Sequence, residues 1–575
     1  MTEVVAEPPT DDTARLSRAT IGMTAGTLLS RVTGFGRIVA LAYALGLGSR
    51  ARLADTYNLA NTTPNIVYDL LLGGILSAFI VPVFVDHLTR PAAADDGDGA
   101  ANAAGAANAD GADDGAWTAI SAIVTAAVTF LLVTSVLFVV AAPWVFRIYT
   151  VGRQRSATGD QIAVGTFLLR CFAPQVLFYG TAALFTALLN ARRRFFWPMA
   201  APVLNNLVVI GVLLSVPHLN RSLALAAVRH DTGLLLWLGL GTTVGVAAQA
   251  LVLWPLLKGA GVHLRFVWAP RHPAIRRVLR LAGWTLGYVV ANQVSFWVAL
   301  VLANREPGDV SAYSYAYVFF QLPYGVLAVS ILTALVPDLA ERWSTGNRDG
   351  YRERLSLGLR AVALVMLPAA AGYALLARPI LTLLLRHGAA ADVGTASDVL
   401  ALFALGLPAF SAYLLFMRGF TATQDTRTPF VINCVQNALT IAFDLVLYPA
   451  LGVQGLALGF SLAYVLGAGI AALALRRRAG GLDGPAVWAS VGRMAVATAL
   501  MAGVVWTVSR ALSNVDVAGP LLQVTAAVVA GVTVYLLVAR AMRVRELDVL
   551  ARVGPRSWQS RWGQSTWRQS RGRSR

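Results

Sequence analysis

The chain has 575 residues, 57% of them hydrophobic and only 13% charged, with a formal net charge of +18 and a mean hydropathy of +0.63. A soluble domain carries roughly 25% charged residues, so the composition excludes a soluble enzyme or binding module and requires many membrane spans. The positive charge falls between apolar runs rather than on one face of a soluble domain; it therefore reports loop topology, and no nucleic-acid partner is expected.

Residues 1–18 are polar and partly acidic, without the basic start, short apolar core and small-residue cleavage site of a signal peptide. Beyond them, apolar runs of spanning length fall at 20–47, 56–86, 117–146, 160–190, 197–217, 233–257, 280–303, 311–340, 356–384, 396–420, 428–450, 453–475, 487–511 and 517–542. About 20 helical residues cross the hydrocarbon, so these runs predict an all-α polytopic membrane protein of about fourteen transmembrane helices.

The first span holds Arg31 and Arg37. A mid-membrane arginine costs on the order of 2.5–3.5 kcal/mol, so such residues face a bundle interior or a wet cavity and call for an anion. Snorkelling to a headgroup is the plainer alternative. In the second span Asn58, Asn61, Thr62, Thr63, Asn65, Tyr68 and Asp69 gather around Pro64, a proline able to kink the helix. Residues 91–115 are rich in Ala, Gly, Asp and Asn and read as a flexible loop. The seventh span offers Asn292 and Gln293 to the same polar cavity, and the eighth carries Tyr313, Tyr315, Tyr317, Gln321 and Tyr324 around Pro323. An interfacial aromatic belt is the alternative for those tyrosines. In the eleventh span Asp444, with Thr440 one turn before it, is a candidate proton or sodium carrier or a hydrogen-bonded structural acid. The tail 543–575 mixes arginine with Trp558, Trp562 and Trp567, a composition for adsorption to anionic lipids, although RNA stacking has the same chemistry.

An internal repeat links the halves. Residues 190–198 with Asn206 resemble 421–429 with Asn437, and 75–82 resembles 330–337. Spans 1–6 and 7–12 thus read as two six-helix lobes in parallel orientation, a plan in which the substrate sits between the halves. Arginine-rich even-numbered connections put both termini in the cytoplasm. The division expected is a cytoplasmic segment 1–19, an N-lobe 20–257 containing the 91–115 loop, a basic linker 258–279, a C-lobe 280–475, helices 13–14 at 487–542 and a basic tail 543–575. No Walker loop, His-Glu-x-x-His, Gly-x-Ser-x-Gly or paired-cysteine motif occurs, and the six histidines fall at helix ends or in loops. The chain reads as a transporter rather than an enzyme, with no cofactor and no metal site, driven by a gradient, the membrane potential or its substrate.

Ser30-Arg31-Val32-x-Gly34-Phe35-x-Arg37, Ala54-Asp55, Pro64-Asn65, Ser77 with Val81-Pro82, Leu189-Asn190-Ala191 through Asn205-Asn206, Pro379-Ile380 with Arg386-x-Gly388, and Gln424-Asp425-Thr426-x-Thr428-Pro429 together resemble the MviN/MurJ family, of the actinobacterial type. The resemblance covers roughly residues 20–540. It implies the two-lobed fold of the MOP superfamily, similar to MATE exporters, with helices 13 and 14 forming a groove for a lipid tail. It also implies flipping of lipid II, an undecaprenyl-pyrophosphate-linked peptidoglycan precursor, across the cytoplasmic membrane, with cell-division and cell-wall synthesis proteins as partners. Arg31 and Arg37 match cavity arginines of that family, and Asp55 matches an acid near the outer end of helix one. Tyr68 and Tyr317-Val318 stand where many members carry arginine or an Asp-Arg pair, so the cavity is less cationic here. The substrate-binding set is Arg31, Arg37, Asn61, Asn65, Tyr68, Tyr317 and Gln321, with Gly34, Asp55, Pro64 and Pro323 in structural or gating roles and Asp444 with Thr440 for a monovalent cation. Regulation through a C-terminal pseudokinase domain is not expected. The open alternatives are a flippase for another prenyl-pyrophosphate glycan, a cation-coupled small-molecule antiporter of the same superfamily and a non-transporting scaffold.

Overall fold

The computed structural model describes residues 11–46, 52–70, 102–152, 158–192, 194–219, 222–262, 264–269, 283–385, 393–513 and 519–547. The first copy of the 75–82 repeat, residues 91–101, Arg386 with Gly388, and the tail beyond 547 lie outside the described residues. Regular structure among the described residues is helical throughout. The main helices are α1 (Asp11–Leu45), α2 (Arg52–Tyr68), α3 (Asn102–Ile148), α4 (Gly159–Phe172), α5 (Gln175–Ala191), α6 (Phe196–Ser215), α7 (Thr232–Gly259), α8 (Gly283–Ala303), α9 (Asp309–Pro323), α10 (Val329–Ser344), α11 (Arg348–Leu385), α12 (Val393–Ala422), α13 (Arg427–Leu451), α14 (Val453–Ala479), α15 (Gly484–Ala511) and α16 (Gly519–Ala541).

Among the described residues twelve helical stretches are long and apolar enough to cross a membrane, α4 and α5 counting as one. The expected second and eighth spans are not among them, and the second span continues beyond residue 70 outside the described residues. The described part of α2 is 17 residues, rich in Asn and Thr, and a π-helical turn at Tyr324–Ala328 separates α9 from α10. A second π-helical turn follows α2, at Asp69–Leu70. Pro64 and Pro323 each precede one of these turns, where the missing donor and the widened ladder loosen the helix.

Two expectations shift. Residues 102–115 are helical, as the start of α3, rather than loop; their alanine content has the highest helix propensity. Likewise α1 begins at Asp11, well before residue 20.

The chain divides into two compact units, the first ending at Ser311 and the second taking up the chain from Ala312. In the first, α1 packs on α6 through small residues. A Cβ on Gly26 would lie 3.1 Å from Met199 Cβ and 3.3 Å from the Phe196 carbonyl oxygen, and one on Gly34 would lie 3.5 Å from Asn206 Nδ2. Close approach of this kind replaces the hydrophobic effect as the adhesive between helices in lipid. Asn206 donates to the Ser30 carbonyl at 3.3 Å and to Thr33 Oγ1 at 3.1 Å, which fixes the rotation of α1 around Arg31.

In the second unit Tyr351, Tyr413, Phe416, Phe420 and Leu475 form one buried cluster and Met494, Met501, Ala527 and Tyr535 another. The last two helices are tied to α11, with the Tyr535 hydroxyl donating to the Leu364 carbonyl at 2.7 Å. Glu546, 2% exposed, closes the same end, pairing with Arg360 at 2.8 Å and accepting from Ser490 Oγ at 2.8 Å.

Candidate functional site

Within the first unit, polar groups of α2 emerge along one stripe. Asn61, Thr62, Asn65, Tyr68 and Asp69 are all half-buried, at spacings that share a helix face. Asn65 Nδ2 donates to the Asn61 carbonyl at 3.2 Å, Asn61 Oδ1 is buried without a partner, and Tyr68 faces Tyr179 with ring centroids 5.9 Å apart. Gln293 of α8 donates to Asp69 Oδ2 at 2.8 Å, so the expected meeting of the second and seventh spans takes place.

Arg37 enters this region half-buried, with its positive charge acting on the Tyr57 hydroxyl. Tyr57 is fully buried, with its ring edge-on to Phe172 at 5.5 Å. Its hydroxyl lies 2.7 Å from Thr242 Oγ1. Because Thr242 gives its own proton to the Leu238 carbonyl at 2.7 Å, Tyr57 must be the donor to Thr242, and its oxygen lone pairs are left for Arg37. Tyr57 therefore turns its oxygen lone pairs, not its proton, toward the Arg37 charge.

Arg31 differs. It is exposed, and among the described residues no hydrogen bond or ion pair reaches it. Six residues apart on a helix means about 9 Å along the axis and about 120° around it. The two arginines therefore do not make one fork; they offer cations at two heights on two sides of α1. Gly34 lies on the α6 contact between them.

Asp55 is fully buried in the first turn of α2. It accepts from the Gly308 N–H at 2.6 Å, the Ser311 N–H at 3.0 Å and Ser311 Oγ at 2.7 Å, which caps the start of α9. Arg52 on the same turn donates to the Asn304 and Arg305 carbonyls at 3.3 Å each, capping the end of α8. A carboxylate at a helix N-terminus and a guanidinium at a C-terminus both complement the helix dipole. Asn58 Nδ2 donates to Ser311 Oγ at 3.1 Å, so the α8–α9 turn is locked to α2.

The second unit is built of different chemistry. Tyr313 and Tyr315 are 3% and 2% exposed, which places them in the interior instead of an interfacial belt. Tyr317 stacks on Tyr313 at 6.3 Å and 5°, meets Phe403 and Phe460 at 5.8 and 6.0 Å, and is hydrogen-bonded to Gln321. Tyr324 continues the aromatic cluster against Phe410 at 5.0 Å. On α13 Asp444 is 1% exposed with neither carboxyl oxygen bonded. Gly459 stands close, a Cβ there falling 2.8 Å from Asp444 Oδ1. Thr440, one turn before it, accepts from Gln436 Nε2 at 2.9 Å and donates to the Gln436 carbonyl at 3.1 Å.

Sequence reasoning missed Tyr57, Thr242 and Arg52. Tyr57 lies four residues before Asn61 and eleven before Tyr68, so extending the polar stripe of α2 back by one turn finds it. Thr242 and Arg52 gave no local signal, because their partners lie 185 residues away and about 250.

The family model described as lipid II flippase MurJ matches residues 41–524. A protein of Rhizobium meliloti named as a probable lipid II flippase MurJ is 27% identical over 441 residues, 76% of each chain. Among solved structures, a lipid II flippase MurJ in an inward closed conformation is similar with a TM-score of 0.71 at 20% identity, covering 92% of this chain and all of that one. An inward-facing MATE family multidrug resistance transporter of the MOP superfamily reaches 0.60 at 13% identity, over 78% of this chain and 94% of its own.

Proposed function

The chain belongs to the lipid II flippase MurJ family, and on that premise we propose that it carries lipid II from the inner to the outer leaflet of the cytoplasmic membrane by alternating access, for cell-wall synthesis. It is a multi-pass membrane protein and a transporter, not an enzyme. The observation that carries the reading is Arg37, half-buried with its charge acting on Tyr57, the residue one turn before the polar stripe of α2. The pyrophosphate is the group it would receive, through charge-assisted bonds strengthened by the low dielectric around it. Arg31 would meet the same anion at a different stage, since it stands on another side of α1. The polyprenyl chain would remain in lipid, along helices α15 and α16.

The arginine-rich connections support a cytoplasmic position for both termini. Outward passage of a negative headgroup then runs with an inside-negative potential, worth about 2.3 kcal/mol per charge at 100 mV. Asp444 supports a second input: a buried carboxyl with no partner carries a proton or takes up a monovalent cation. The Asp55 latch on the α8–α9 turn would open for that turn to move. A small-molecule antiporter shares the fold but not the family, and the basic tail is proposed to adsorb to anionic lipid.

The test is leaflet accessibility of lipid II in cells depleted of their own flippase. This chain should restore outer-leaflet lipid II, and Arg31→Ala and Arg37→Ala should each fail while remaining in the membrane. Normal growth with both arginines replaced would sink the charge-capture reading.

A further inference from the structure

An arginine also lies inside a span of the second unit. Arg418 stands four residues from the end of the span Val393–Ala422, and in residues 411–422 of that helix, α12, only Arg418 and Thr421 are exposed. Leu400, Leu407 and Ser411 precede Arg418 at spacings that stack them on one helical face, and all three are buried. The exposed Asp398 and Leu405 lie about 140–160° around the helix from Arg418. Arg418 therefore does not extend that outer face; it opens a separate inlet on the buried one.

Tyr324 stands at this inlet. It begins the π-helical turn between α9 and α10, a geometry frequent at functional sites. Its ring meets Phe410 of α12 edge-on at 5.0 Å, and the Arg418 charge acts on its hydroxyl. Among the described residues no hydrogen bond reaches the Tyr324 hydroxyl and no hydrogen bond or ion pair reaches Arg418. The acids at this end of the unit are engaged or exposed. Asp338 pairs with Arg342 and Arg354, Asp349 with Arg352, Asp425 with Arg478 and Glu546 with Arg360, while Glu341, Glu353 and Asp483 are exposed. An arginine without a counterion inside a span is costly, and a bound anion offsets that cost.

We propose that Arg418 receives a phosphate of the transported headgroup at the arginine-rich end of the second unit, with the Tyr324 hydroxyl donating beside it. A guanidinium forks onto phosphate oxygens and a phenol adds one further donor. With lipid II as the cargo, as proposed above, the headgroup meets this cation at the cytoplasmic end, where the arginine-rich connections lie. By the register of the internal repeat, 190–198 on 421–429, Ala187 of the first unit stands where Arg418 stands in the second. The cation thus belongs to one repeat only.

The test uses the full chain with Cys171→Ala and Cys434→Ala in phosphatidylcholine vesicles. Thr421→Cys, one turn beyond Arg418 on the same face, carries an environment-sensitive fluorophore. Farnesyl pyrophosphate should shift the emission, farnesol should not, and phosphatidylglycerol added to the vesicles should not compete. Arg418→Gln should weaken the response about tenfold, Arg418→Lys less, and Tyr324→Phe by a smaller factor, each with unchanged thermal unfolding. In cells Arg418→Gln should slow delivery of lipid II to the outer leaflet several-fold. An undiminished pyrophosphate response in Arg418→Gln overturns the proposal, even where the chain restores outer-leaflet lipid II. An equal response to phosphatidylglycerol also overturns it, since Arg418 would then be an anchor to membrane lipid. Binding through Arg418 in a chain that fails to restore outer-leaflet lipid II would uphold the anion site and remove lipid II as its cargo.

Discussion

The two units carry buried carboxyls in opposite circumstances. In the first, Asp55 accepts three hydrogen bonds and caps a helix; in the second, Asp444 is as deeply buried and accepts none. The surroundings diverge in the same way. The first unit sets a half-buried arginine beside a stripe of amides, whereas the second sets an aromatic cluster where a symmetric repeat would place its counterpart. Each unit nevertheless carries a proline that precedes a π-helical turn, Pro64 in the first and Pro323 in the second. The contrast is one of chemistry: a carboxylate fully engaged by donors in the first unit and a buried carboxyl with neither oxygen bonded in the second.

The largest effect should come from removing the captured charge. Arg37→Ala should abolish lipid II translocation, measured as outer-leaflet lipid II, whereas Tyr57→Phe should lower the rate by about tenfold, since a hydrogen bond to a charged group is worth about 1.5–3 kcal/mol. An unaltered rate in Tyr57→Phe would mean that Tyr57 does not position Arg37.

Next come the two acids. Asp55→Asn should cost about 3 kcal/mol of stability, because an amide cannot satisfy all three donors. Asp444→Asn should leave thermal unfolding in detergent unchanged or raised, as loss of an uncompensated buried acid does, while abolishing any dependence of flipping on sodium or proton concentration. Equal losses of stability in the two variants would erase the distinction between them.

A smaller change tests the α1–α6 contact. Gly26→Leu should destabilise by about 1–3 kcal/mol through overpacking, given the 3.1 Å approach to Met199 Cβ. Thermal unfolding of the purified protein measures it, and Gly484→Leu, where nothing lies within 4 Å of a Cβ, is the control.

The smallest effect concerns the repeated loops. In the second copy Asp425 accepts from the Thr428 N–H at 3.0 Å and Thr428 Oγ1 at 2.8 Å and pairs with Arg478 at 3.0 Å. Burial alone would raise its pKa, but the Thr428 bonds and the Arg478 charge outweigh that and hold it below the usual carboxylate value. Its contribution to stability is therefore present above about pH 3.9 and is lost as pH falls through the lower folded value. Asp425→Asn should flatten the acid limb of the unfolding profile below that pH and cost about 1 kcal/mol at neutrality, a capping-scale loss. The corresponding first loop, 190–198, contains no acid and should give no such limb.

Much of this plan was legible in the order of residues. Apolar runs set where helices cross, because the length needed is dictated by the thickness of the hydrocarbon. The polar stripe of α2 followed from a period that each turn of helix repeats, and Asp69 met Gln293 as their spans suggested. What stayed hidden depended on partners far along the chain. Asp55 and Ser311 are separated by 256 residues, and Tyr57 and Thr242 by 185. Spacing alone could not choose between equal neighbours either: Thr440 sits one turn from both Gln436 and Asp444 and bonds Gln436. For Arg31 and Arg37 the sequence established two costly charges in one span, while helix packing through Gly26, Gly34 and Asn206 selected which one is half-buried and which one is exposed. Periodicity is written within a single helix; the pairing of one helix with another is settled by close contact, and hydrogen bonds reach only about 3 Å.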